Sequence, residues 1–181
     1  ILLSCNSENA GDCFQKAGEI VQVEVEVESF DKITVHKRVE LFIEQGIHQK
    51  VILESGENLL PDITAEVIDN ELVLTDNNTC NFVRPYDITK VYITSPNITA
   101  IRNASEQNVS SVGTLTYPSL YLRSTGEKSE FLSVGDWHLN IKNESVRIWG
   151  NGIAVFYLLG STNNLNVGFS GWEKRKIEIL Q

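Results

Sequence analysis

Carboxylates, aromatic rings and histidines are the residues of this chain whose types could do chemistry, and their spacing limits what that chemistry is. Glu24, Glu26 and Glu28 alternate with valines, which puts three carboxylates on one face of an extended strand. Such a face could gather a hard cation such as calcium, but a solvated acidic face that discourages pairing with foreign strands is the favoured reading. His36, His48 and His138 are scattered without an HxxxH or His–Cys spacing, so no metal site is expected. Asp136 near Lys142 and Arg147 is the local candidate for the carboxylate-and-cation pairing that a polysaccharide-active enzyme needs. There is no G-x-S-x-G, no P-loop and no strand-borne G-x-G-x-x-G, and Gly150-Asn151-Gly152 reads as a turn. No catalytic residue and no cofactor are therefore expected. The aromatic residues are more suggestive, because Tyr121, Trp137, Trp149 and Trp172 fall in the second half amid Asn and Ser. If Tyr121 and Trp149 point outward from their strands, these four form a platform that could stack on a glycan or a protein surface. The interior is nevertheless the favoured place for most of these rings.

The elements that must position these residues are strands. Val21, Val23, Val25 and Val27 alternate with polar residues, a period of two. Further β-branched runs at 33–35, 39–44, 50–54, 63–68, 71–75 and 88–94 are separated by turn chemistry such as Gln45-Gly46, Asp69-Asn70 and Asp76-Asn77-Asn78. The stretch 58–66 could form one helical turn, limited by Pro61. From about residue 96 the texture becomes short apolar-x-apolar units, including Leu120-Tyr121-Leu122, Leu139-Asn140-Ile141, Val146-Arg147-Ile148, Leu165-Asn166-Val167 and Ile177-Glu178-Ile179. Their irregular recurrence suits the coils of an all-β parallel solenoid with Asn, Gly and Ser at left-handed corners. A β-sandwich is the alternative, disfavoured because its strands are usually longer.

The chain has 181 residues, 41% of them hydrophobic, and a formal net charge of -9. That is enough for one sizeable core, and it opposes binding to nucleic acid or to anionic lipid surfaces. No apolar run approaches the roughly 18 residues that a transmembrane helix requires. The chain starts at Ile1 and holds no Met, so an upstream segment is expected. Leu2-Leu3-Ser4-Cys5, followed by the polar tether Asn6-Ser7-Glu8-Asn9, resembles the lipobox of bacterial lipoproteins. That resemblance implies acylation of Cys5 and membrane contact only through this lipid anchor. With Cys5 so used, Cys13 and Cys80 remain in an oxidising compartment, where a Cys13–Cys80 disulfide is favoured over two buried thiols.

Several segments then occur in a telling order: Ser29-Phe30-Asp31-Lys32-Ile33-Thr34-Val35, Val39-Glu40-Leu41-Phe42-Ile43-Glu44-Gln45-Gly46, Glu57-Asn58-Leu59-Leu60, Glu71-Leu72-Val73-Leu74 and Val91-Tyr92-Ile93-Thr94. Together with Cys80-Asn81-Phe82-Val83-Arg84 they resemble the head GIN domain family of auto-transporter adhesins, found largely as envelope lipoproteins of Gram-negative bacteria. The resemblance implies a right-handed parallel β-helix, in agreement with the solenoid reading, and brings no catalytic residues. The resulting expectation is a tether over 1–15 and a single domain over 16–181. Its role would be that of a non-enzymatic, lipid-anchored envelope protein whose binding surface meets a glycan or another protein. The alternatives are a polysaccharide-active enzyme resting on Asp136 and a periplasmic structural or assembly module.

Overall fold

A computed structural model describes residues 16–78, 88–125, 133–150, 154–169 and, by backbone only, 177–180. Strands form where apolar residues recur at every second position. In chain order they are β1 (Ile20–Val25), β2 (Lys32–Val35), β3 (Glu40–Gln45), β4 (Lys50–Gly56), β5 (Ile63–Ile68), β6 (Glu71–Asp76) and β7 (Lys90–Ser95). They continue as β8 (Ala100–Asn103), β9 (Val109–Leu115), β10 (Ser119–Ser124), β11 (Trp137–Gly150), β12 (Phe156–Phe169) and β13 (Ile177–Leu180). Among the described residues the one helical turn is a 3-10 segment, Leu60–Asp62, with Pro61 near its start, where a missing N–H costs nothing.

The expected right-handed parallel β-helix is not what this chain forms, and neither is the alternative β-sandwich. One hydrogen-bonded path runs β1-β4-β7-β3-β9-β11-β10-β8-β2-β6-β5, and it curls into a nearly closed barrel of 11 mixed strands. The pairs β1·β4, β4·β7 and β5·β6 are antiparallel, whereas a β-helix stacks its coils in parallel. The β5–β6 hairpin follows from Asp69 and Asn70, both at positive φ (50° and 65°). This is the two-residue turn whose twist matches paired antiparallel strands. The apolar-x-apolar units also misled about strand length. Leu139–Ile141 and Val146–Ile148 are halves of one 14-residue strand, β11.

That strand joins two walls. The C-terminal half of β11 pairs with β10, which continues through β8 and β2 to β6. Its N-terminal half pairs with β9, which continues through β3 and β7 to β4. Alternation of burial changes phase at Glu144 and Ser145: Leu139 and Ile141 point inward before them, Val146 and Ile148 after them. Both residues donate their backbone N–H to the Pro118 carbonyl, each at 3.1 Å, which pins the bend. Inward residues of both walls, among them Ile33, Leu41, Leu72, Val91, Ile101, Leu122 and Ile148, form one buried cluster.

Asn143 and Asn103 serve their corners through their side chains, whereas Asn70 serves its turn through left-handed backbone. Asn143 Nδ2 donates to the carbonyl of Tyr117, and Asn103 Nδ2 donates to that of Gln107 at 2.9 Å. Neither has positive φ; among the described non-glycine residues that conformation belongs to Arg38, Asp69 and Asn70. A buried carboxylate holds another junction. Asp76 Oδ1 accepts from the Asn78 N–H at 2.9 Å and its Oδ2 from the Thr89 hydroxyl at 2.8 Å, so the charge is removed from water only with partners in place.

Candidate functional site

The first wall carries an unusual outer surface. Because Ile33, Ile101, Leu122 and Ile148 face the core, their neighbours in β2, β8, β10 and β11 must face outward. Parallel register then sets Lys32, Ala100, Tyr121 and Arg147 in one row across the four strands. Thr34, Arg102, Arg123 and Trp149 form the next row. Four cations and two aromatic rings thus share a single face of a chain whose net charge is -9.

The geometry within this face is specific. The Arg123 and Arg147 guanidinium carbons lie 5.8 Å and 5.6 Å from the Tyr121 ring centroid, within the range of cation–π attraction. Arg102, only 8% exposed, donates from Nε to the Thr125 carbonyl at 3.0 Å. Arg123 Nε is buried and has no hydrogen-bond partner among the described residues. An open depression of about 310 Å³ is lined by Lys32, Glu71, Arg102, Tyr121 and Arg123 among others. Glu71 at its border accepts a hydrogen bond from the Thr34 hydroxyl.

Trp149 completes the surface. It is 40% exposed, and its indole lies across Gly168 of the neighbouring β12, where a methyl group would collide with the ring. One side of the indole therefore rests on backbone while the side chain keeps contact with solvent. Gly168 is needed here for close approach, a use of glycine beside an aromatic residue that sheets exploit repeatedly.

The outer surface of the second wall differs. One row sets Ile52, Tyr92, Phe42, Ser110, His138 and Tyr157 side by side from β4 to β12. Phe42 stacks on Tyr92 at 5.0 Å and His138 on Tyr157 at 4.8 Å, while Ser110 interrupts the ladder between the two stacks. Glu24 and Glu54 beside it are paired with Lys50 at 2.8 Å and Lys90 at 3.7 Å. The Tyr92 hydroxyl donates to Glu54 Oε2 at 3.4 Å, and burial, then the Glu54 charge, raises its pKa.

The structure brings Tyr121 and Trp149 together on adjacent strands and excludes Trp137 from their surface. Trp137 is fully buried and stacks on Phe156 at 5.2 Å, because it holds an inward position of β11. Trp172, Cys5, Cys13 and Cys80 lie outside the described residues. Asp136 is occupied structurally: its Oδ1 accepts the Val155 N–H at 2.8 Å and its N–H bonds to Asn108 Oδ1 at 3.0 Å. It stands at the start of β11, whereas Arg147 lies beyond the bend, so no carboxylate-and-cation pair is assembled there. Among the described residues no group of three His, Cys, Asp or Glu side chains could hold a metal ion. Sequence reasoning missed Lys32, Arg102 and Arg123. Alternation alone could have paired Arg123 with Tyr121, since Leu120 and Leu122 fix which side each takes. The juxtaposition with Lys32 and Arg102 is tertiary.

These features define an all-β module with a built outer surface. The chain belongs to the head GIN domain family, described as putative auto-transporter adhesin, whose model matches residues 29–177. Solved structures share the fold at low sequence identity. A putative lipid binding protein from Parabacteroides distasonis has a TM-score of 0.65 at 14% identity, with 90% of this chain and 67% of that one covered. A putative adhesin from Bacteroides fragilis has a TM-score of 0.57 at 15% identity, covering 91% of this chain and 99% of the other. One from Parabacteroides merdae has a TM-score of 0.55 at 15% identity, with 90% and 81% covered. No curated protein sequence matches the chain.

Proposed function

We propose that this domain is a non-enzymatic binding module of the bacterial cell envelope that contacts a glycan or protein surface through the outer face of β2, β8, β10 and β11. The observation that carries this reading is the parallel register that sets Tyr121 and Trp149 among Lys32, Arg102, Arg123 and Arg147. The exposed Trp149 indole supplies apolar contact area, and neighbouring guanidinium groups supply directed donors. Membership of a family described by adhesion agrees with this reading, as does the structural use made of Asp136. Attachment at Cys5, supported by the preceding Leu2-Leu3-Ser4, would hold the module at a membrane.

A glycan and protein array probed with purified domain tests the reading. Binding that falls at least tenfold in the Tyr121→Ala, Trp149→Ala double variant supports it, and undiminished binding by a folded double variant overturns it. The anchor has its own test: metabolic labelling with a fatty-acid analogue should mark the wild type and leave Cys5→Ser unlabelled. Equal labelling of both removes Cys5 as the attachment site.

A further inference from the structure

We propose that the ligand of this face is an acidic polysaccharide, held by its carboxylate groups against Arg123 and Arg147 while a sugar ring lies on Trp149. The inference rests on the binding face described above and adds the chemical class of what it binds.

Charge complementarity is the first argument. The whole chain carries -9, yet Lys32, Arg102, Arg123 and Arg147 collect on four neighbouring strands with Glu71 at the border. Like charges brought this close repel one another, and they persist most readily where an anion is to be neutralised. The second wall behaves oppositely, since Lys50 and Lys90 there are each matched by a carboxylate. Neither Arg123 nor Arg147 forms an ion pair of this kind among the described residues.

Geometry is the second argument. Both guanidinium groups sit within 6 Å of the Tyr121 ring, which holds them in position and offers their N–H donors to a planar oxyanion. Arg123 Nε is buried and without a hydrogen-bond partner among the described residues, so the guanidinium is held by its packing on Tyr121 rather than by an acceptor at Nε.

The third argument concerns extent. The rows run across the strands, and neighbouring strands lie about 4.8 Å apart, comparable with the length of one pyranose unit. A polymer lying along the row Lys32, Ala100, Tyr121 and Arg147 passes one outward position per strand, with Arg123 and Trp149 in the next row beside it. Trp149, resting on Gly168, supplies the apolar surface on which the less polar side of a sugar ring stacks.

Polygalacturonate and its fully methyl-esterified form make the decisive pair of probes, because they share the same ring and differ in the carboxylate charge. Binding would be measured by affinity electrophoresis and calorimetry with the wild type, Arg123→Gln/Arg147→Gln, Trp149→Ala, and Glu40→Gln/Glu44→Gln on the other wall. Circular dichroism checks that each variant is folded. The inference expects binding to the acid form alone, weakened more than tenfold by the double arginine variant and by raising salt, and unchanged by the double glutamate variant. Equal binding of the ester, insensitive to the arginines but lost in Trp149→Ala, overturns the acidic ligand and leaves the binding face intact. If neither polymer binds, or binding survives every substitution on the first wall, the acidic ligand and the glycan-binding face both fail.

Discussion

The two walls of this barrel share a strand, a core and a style of register, yet their outer surfaces solve different problems. On the first, Lys32, Arg102, Arg123 and Arg147 cluster around Tyr121 and Trp149. On the second, Lys50 and Lys90 are each paired with a carboxylate, and the rings stack on one another, Phe42 with Tyr92 and His138 with Tyr157. The first holds four cations and a 40% exposed indole. What separates the two outer surfaces is which residues stand at the outward register.

If that division holds, an inward substitution next to the second wall should damage the whole molecule while its outward neighbour should not. Trp137 and His138 are adjacent in β11 and stack on adjacent residues of β12, but Trp137 is buried and His138 exposed. Trp137→Ala should lower unfolding stability by about 3–5 kcal/mol, read from denaturant midpoints, whereas His138→Ala should stay within about 1 kcal/mol. Comparable losses at both positions would erase the distinction between inside and outside.

Gly168→Ala attacks the first wall without altering charge. The added methyl must displace the Trp149 ring, at a cost of about 1–3 kcal/mol, and Trp149 emission should shift. An unchanged spectrum would mean that the indole does not rest on this glycine.

Tyr117 sharpens the contrast from the core side. Its hydroxyl donates to the Ser95 carbonyl at 3.0 Å, and burial pushes its pKa from 10 up to about 12. The folded state favours the neutral phenol, so this group's stabilisation is fully present below pH 10 and lost as pH rises from 10 through 12. Tyr117→Phe should lose about 1 kcal/mol at neutral pH and show a shallower decline in stability across that alkaline window. Parallel declines in both proteins would remove Tyr117 as its source.

The smallest effect belongs to the second wall's exposed ion pair. Lys50 and Glu24 are 44% and 61% exposed, and Lys50→Gln should change stability by no more than about 0.5 kcal/mol. A larger loss by calorimetry would show that this surface is more than a solvated face.

Much of the strand pattern was legible beforehand, for a local reason. Alternation in the runs 33–35, 39–44, 50–54, 63–68 and 71–75 reflects burial of every second side chain, and β2 to β6 fall on those runs. Where alternation changes phase, as at Glu144 and Ser145, the sequence looks like two short strands although the backbone is continuous. β8 and β9 escaped notice because Ala100, Ser110, Ser111 and Gly113 carry little hydrophobic contrast. Within the site, Tyr121 was visible as an aromatic residue between Leu120 and Leu122, and Trp149 as one beside Ile148. Trp137 instead stands between the polar Asp136 and His138, in phase with Leu139 and Ile141, and its place in β11 is inward.

By itself the sequence determined the all-β class, most strand positions in the first half, the absence of a catalytic motif, and the family. Those depend on residue type and on neighbours a few positions away. The curl into a barrel, the antiparallel pairs at the ends of its path and the gathering of Lys32, Arg102, Arg123 and Arg147 were decided by the tertiary structure. The physical reason is that hydrogen-bonded register sets which distant residues stand side by side, and a shift of one position would send every outward side chain into the core.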